Sequence, residues 1–121
     1  MLAQKTAAPN IVLLFEAGGV DPRLNRLPVS VGDSCTAYQA ALAGSMNEIM
    51  EACQRGQVRY ALLGGAQIDH FGNLNSTMIG SDYRTPKVRL PGSGGGNDLA
   101  SLCWRTIILM PHEKRKFTDN L

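Results

Sequence analysis

Apolar positions first gather in an unbroken run, Ile11-Val12-Leu13-Leu14-Phe15, closed by Glu16 and followed at once by Ala17-Gly18-Gly19. A continuous apolar run ended by a glycine pair predicts a strand covered on both faces, as in parallel sheets. Asp21-Pro22-Arg23 then marks a turn. The period changes after Gly32. Tyr38, Ala41, Leu42, Met46, Ile49, Met50 and Cys53 recur at helical spacing, which predicts an amphipathic helix with one face on a sheet. Asp33 or Ser34 can cap its first turn through a side-chain oxygen, Glu51 and Arg55 pair away from the stripe, and Gly56 ends it.

A second strand is predicted over 58–63, ending in Gly64-Gly65. Gln67-Ile68-Asp69-His70-Phe71-Gly72-Asn73 reads as a turn-rich connection. Residues 74–79 read as a half-exposed strand, with Asn75 and Thr77 among apolar neighbours. Residues 82–91, interrupted by Pro86 and Pro91, are irregular. Gly92-Ser93-Gly94-Gly95-Gly96-Asn97-Asp98 leads into a short helix over 99–103, and 106–110 forms a third buried strand. The order predicts an α/β fold: a partial parallel or mixed sheet flanked by helices, in a single domain spanning 1–121.

Composition narrows the classes. With 121 residues, 44% hydrophobic and 18% charged, the chain can bury one core and is too apolar to be disordered. A net charge of +2 gives no ground for nucleic acid or a membrane surface as partner, and no apolar run reaches transmembrane length. The start Met1-Leu2-Ala3-Gln4-Lys5 lacks a signal-peptide core. Cys35, Cys53 and Cys103 are odd in number and widely spaced, which predicts free thiols in a reducing cytoplasm, without disulfides or zinc.

Chemistry has few places to sit. Gly64-Gly65-Ala66 serves either a sharp turn or the close approach of a ligand to the backbone. Gly92-Ser93-Gly94-Gly95-Gly96 can offer N–H groups to an anion or a developing oxyanion. No Gly-Lys-Ser/Thr follows it, and Asn97 breaks the dinucleotide fingerprint, so ATP and NAD find no support. A carbonyl oxygen, a phosphate or a pantetheine backbone stays open. His70 and His112 have no second ligand at metal spacing, so no metal is expected. Ser93 has no strand before it and fails as a nucleophile elbow. Asp69 and Asn73 are expected to bond their own backbone. Glu16, taken alone, reads first as the solvated residue after a strand, and second as a carboxylate where ligands collect at strand ends.

The ordered motifs resemble the B (β) subunit of family I CoA-transferases, most closely the glutaconate branch. The resemblance rests on Leu63-Gly64-Gly65-Ala66-Gln67-Ile68-Asp69, Phe71-Gly72-Asn73-Leu74-Asn75, Pro91-Gly92-Ser93-Gly94-Gly95 and His112-Glu113-Lys114-Arg115-Lys116-Phe117. It extends from about Ile11 to Phe117. In that family a Glu-x-Gly element upstream carries the covalent nucleophile, and Glu16-Ala17-Gly18 falls on it. The resemblance therefore implies a Rossmann-like CoA-transferase fold, Glu16 as nucleophile, and Gly64, Gly65, Ala66, Gly92, Gly94 and Gly95 near CoA or its oxyanion. Coenzyme A enters as a substrate, with no covalently bound resident cofactor.

What the resemblance implies about scope is narrower. The family's B subunits are longer, so it implies a chain truncated at both ends, cytoplasmic, and associated as a homo-oligomer or with an A-type subunit. Three readings compete. The first is a transferase subunit moving CoA between an acyl-CoA and a small carboxylic acid. The second hydrolyses CoA thioesters. The third is a non-catalytic binding or assembly module that keeps the fold. Ala17 stands where many relatives have serine or asparagine, which changes the surroundings of the carboxylate without removing it.

Overall fold

The chain reverses direction at Glu16. In the computed structural model, which describes residues 2–121, the run before it forms one arm of a hairpin. After a short helix α1 (Leu2–Thr6), Leu14 bridges Val20 in antiparallel sense and Asp21 N–H donates to Leu13 O at 2.6 Å. The returning strand β1 (Gly19–Val20) pairs antiparallel with β2 (Leu42–Ala43). The strand buried on both faces that the apolar run predicts is therefore absent among the described residues, and Val12 keeps 55% of its surface exposed. The cause is local: Gly18 at φ +120° permits a reversal that β-carbon-bearing residues rarely make.

The long amphipathic helix is also replaced. Asp33 does cap a helical turn, accepting from Cys35 N–H at 3.0 Å, but that turn is a 3-10 helix covering only Ser34–Ala37. Gln39 then takes φ +47° and the chain extends into β2. A fresh helix α2 (Met46–Gln54) begins where the Glu48 carboxylate accepts from Ser45 N–H at 2.6 Å and Ser45 Oγ at 3.0 Å. Such reciprocal capping starts a helix in the middle of the apolar stripe. Its other end follows expectation: Arg55 donates to Glu51 at 3.0 Å, and Gly56 at φ +73° closes it.

These elements make up the first of two compact units, Met1–Gln57. The second, Val58–Leu121, holds β3 (Tyr60–Leu63), β4 (Gln67–Asp69), β5 (Leu74–Asn75), β6 (Met78–Ile79) and β7 (Val88–Arg89). Helix α3 (Gly96–Leu102), β8 (Arg105–Ile108) and β9 (Phe117–Thr118) complete it. Strands β3 and β8 run parallel, in register from Tyr60 opposite Arg105 to Leu63 opposite Ile108, with α3 packed on both. A second sheet places β4 between antiparallel β5 and parallel β9, and β6 pairs antiparallel with β7. This is the mixed α/β arrangement expected. The last predicted strand differs in one respect: it is not buried, since Ile107 and Leu109 face outward with Tyr60 and Leu62. Cys35, Cys53 and Cys103 are all buried and none is in a disulfide.

Two carboxylates tie loops down and contribute to the acid response, alongside Glu48 and Asp82, whose pKa values are also lowered by hydrogen bonds. The Arg26 guanidinium grips both oxygens of Asp33 at 2.7 Å and, with the N–H groups of Cys35 and Val29, holds its carboxyl well below the usual range. Burial pushes Asp69 upward, but bonds from Asn73, Phe71 and Leu121 outweigh it and leave its pKa lowered. A carboxyl lowered in the folded state stabilises above its unfolded pKa and loses that contribution as pH falls toward the folded value. The thermal midpoint should therefore stay level near neutrality and drop below about pH 4. Asp33→Asn should flatten part of that drop in a CD melt series. An identical acid slope in that variant would remove Asp33 from the account.

Candidate active site

Glu16 sits at the tip of a three-residue loop, Glu16-Ala17-Gly18. Phe15 N–H donates to Gly19 O at 2.8 Å across its neck, and Gly18 N–H donates back to Phe15 O at 2.9 Å. Three-residue hairpin loops place a residue with positive φ at their third position, the place Gly18 fills. The neck is pinned from both sides. Gly44 N–H donates to Gly18 O at 2.9 Å, and Ala41 N–H donates to Val20 O at 2.9 Å. A β-carbon on Gly18 would overlap the Gly44 carbonyl, and one on Gly19 would overlap the Thr36 carbonyl. The half-buried Glu16 side chain thus rises from backbone with no room to shift, while Ala17 beside it is exposed.

The glycine segments meet in the second unit. Gly64 and Gly65 leave the carboxyl end of β3, where Leu109 N–H donates to Leu63 O at 2.9 Å. A β-carbon on Gly65 would come within 3.1 Å of Leu74 Cδ2, so the chain passes close over β5. Gly92 at φ +96° and Gly94 at φ +52° shape the second segment. It ends at Gly96, where an added β-carbon would stand 3.8 Å from Leu63 Cδ2. The end of the second segment, at Gly96, therefore lies against Leu63 at the carboxyl end of β3, the residue before Gly64. Open α/β sheets bind ligands at that end. Gly95 is buried, whereas Ser93 and Gly94 face solvent. Glu16 belongs to the first unit and these glycines to the second.

The remaining polar residues have structural work. Asp69 Oδ1 accepts from Phe71 N–H at 3.0 Å and Asn73 N–H at 2.9 Å, as its turn position predicts. His70 Nδ1 lies 2.6 Å from Asp119 O, and the His112 ring packs edge-on against Phe117 at 5.1 Å. No cluster of three metal-ligating side chains occurs among the described residues. A shallow depression lined by Asn25, Arg26, Ser34, Cys35, Ala37 and Tyr38 contains none of the predicted site residues. Its one cation, Arg26, is engaged by Asp33. Sequence reasoning missed Gln67 and Asn75, whose side chains bond each other at 2.8 Å between the two glycine segments. The signal was the dipeptide Asn75-Ser76, a turn-forming pair that interrupts the predicted 74–79 strand and divides it into β5 and β6.

Comparison with known sequences decides the family. The Coenzyme A transferase family matches residues 1–121. The chain belongs to this family. It is 40% identical over 121 residues to the B subunit of 3-oxoadipate CoA-transferase from Pseudomonas knackmussii, covering 99% of this chain and 46% of that protein. The B subunit of glutaconate CoA-transferase from Acidaminococcus fermentans is 39% identical over 127 residues, again with 99% of this chain and 46% of the relative covered. The solved glutaconate CoA-transferase of that organism superposes with a TM-score of 0.87 at 37% identity, covering 99% of this chain and 47% of its own. The decarboxylase AibA/AibB also superposes, with a TM-score of 0.84 at 27% identity, covering 96% of this chain and 48% of its own. This CoA-transferase-family chain spans about half the length of the curated relatives it matches. Among the described residues no helix is long and apolar enough to cross a membrane.

Proposed function

We propose that this chain serves as a B-type CoA-transferase subunit, acting with an A-type chain to move CoA between an acyl-CoA and a small carboxylic acid. The observation that carries the reading is Glu16 on its pinned loop. Because a decarboxylase shares the fold, the fold alone does not choose the reaction, and the carboxylate must. The thioester hydrolase alternative has no support among these relatives.

In the proposed cycle a Glu16 carboxylate oxygen attacks the thioester carbonyl and CoA leaves as thiolate, giving a mixed anhydride. The thiolate then attacks the glutamyl carbonyl, the first acid departs as carboxylate, and CoA is held on Glu16 as a thioester. The acceptor acid runs the same steps in reverse. Thioester energy is conserved throughout, so no nucleotide triphosphate is needed. A carboxylate is a weak nucleophile in water and gains from being held against the carbonyl, which a loop without slack favours. Backbone N–H groups of the 92–95 segment suit the developing oxyanion or the CoA backbone, and Gly64-Gly65-Ala66 allows close approach. Outward-facing Tyr60, Leu62, Ile107 and Leu109 support association with further protein.

Intact-mass spectrometry tests the reading directly. The chain is incubated with short acyl-CoAs, alone and with an A-type partner, and digested to map any adduct. A mass increase of CoA less water on Glu16 is expected when the A-type chain is present. A folded complex that turns over acyl-CoA without any such adduct would overturn it.

A further inference from the structure

The second unit contains a hydrogen-bonded tie that links both glycine segments to one turn, which the Asn75 side chain braces. Ala66 N–H donates to Asn75 O at 2.9 Å, joining Asn75 to the Gly64-Gly65-Ala66 segment. The Asn75 amide donates to Gln67 Oε1 at 2.8 Å and to Met78 O at 2.6 Å, while its Oδ1 accepts from Thr77 N–H at 3.0 Å. These bonds fix the turn at Ser76 and Thr77, whose carbonyls point to the other segment. Gly92 N–H donates to Ser76 O at 2.8 Å and Leu90 N–H to Thr77 O at 3.0 Å. Beyond Gly92 the chain reaches solvent-facing Ser93 and Gly94. The entry to the 92–95 segment therefore hangs on a turn that Asn75 holds in shape.

We infer that Asn75, oriented by Gln67, is a positioning residue that fixes the 92–95 segment for CoA. It acts through the Ser76 and Thr77 carbonyls, without touching the ligand. The inference rests on the reading that this segment contacts CoA. Glycines at positive φ are free to adopt other conformations, so a flexible segment needs an external anchor if its N–H groups are to stay aimed. A half-buried side-chain amide satisfied by several partners is such an anchor, and it has a specific weakness. Asn75→Asp keeps the acceptor but replaces the donor, setting carboxylate oxygen against the Met78 carbonyl.

The test joins hydrogen exchange with calorimetric titration of coenzyme A itself into the complex with an A-type chain. Exchange at Leu90 and Gly92 in Asn75→Asp should rise about tenfold while β3 and β8 keep their protection. The dissociation constant for CoA should weaken about tenfold. Gln67→Glu, which keeps the acceptor for Asn75, should retain both values, and Gln67→Leu should move them in the direction of Asn75→Asp. That pair decides the matter if Asn75→Asp fails to fold. Unchanged exchange at Leu90 and Gly92 overturns the inference, as does raised exchange with unchanged CoA affinity. Wild-type complex that binds no CoA sinks the parent reading instead, and the exchange data then still report whether the tie exists.

Discussion

Glu16→Gln should abolish covalent capture of CoA and lower turnover of the complex with an A-type chain by roughly 10³-fold or more, with the thermal midpoint unchanged. The amide has the shape of the carboxylate, so the loop neck, built from backbone bonds of Phe15, Gly18 and Gly19, has no reason to move. The amide oxygen cannot form the mixed anhydride. Glu16→Asp separates geometry from chemistry, because it keeps the charge and withdraws it by one methylene. On a loop without slack the backbone cannot follow, and misplacement of this kind costs about 10²-fold. Steady-state rates and intact mass of the three proteins, assayed side by side, check both expectations. Equal turnover by wild type and Glu16→Gln would remove Glu16 from the reaction.

Gly19→Ala should strongly destabilise the first unit. Its β-carbon would enter the space of the buried Thr36 carbonyl, and the obstacle is backbone, so no rotamer change relieves it. Overpacking of this sort costs about 1–3 kcal/mol, and more where the backbone must move. Gly18→Ala meets the Gly44 carbonyl and in addition requires φ +120° from a residue with a β-carbon. Ala17→Ser is the control: the position is exposed, and its effect should stay within about 0.5 kcal/mol. Urea melts of the three variants give the order. Wild-type stability in Gly19→Ala would show that β1 does not lie this close to the 3-10 turn.

The parts of the fold legible in the sequence were those where one local signal acted alone. Strand β3 has an apolar run and a glycine stop, and the turn after Asp69 has its own side-chain acceptor. The two main departures arose where two signals competed. The run from Ile11 to Phe15 has the composition of a buried strand, yet the glycines behind it fold the chain back on itself. The stripe from Tyr38 to Cys53 keeps helical spacing through Leu42, but Ser45 and Glu48 form a start signal inside it, and Leu42 joins a strand. For the candidate site, the glycine segments and Glu16 were visible as residue types at motif spacing. The roles of Gln67 and Asn75 were not, because Gln67 reads as part of a turn although it opens β4, and Asn75, a polar residue in an alternating strand, looks solvent-directed until its partners are located.

The two parallel pairings also determine the order in which the second unit can assemble. Strands β4 and β5 meet across the short turn His70-Phe71-Gly72-Asn73, and hairpins of this kind close within microseconds. Strand β3 must wait for β8, and β4 for β9, each tens of residues away along the chain. Closing long loops costs chain entropy before any contact offsets it, so parallel pairing comes late and slowly. The tie between Gln67 and Asn75 spans only the early hairpin. It can be in place while the parallel strands are still apart, so the 64–66 segment would reach the sheet with the turn that receives Gly92 already formed beside it.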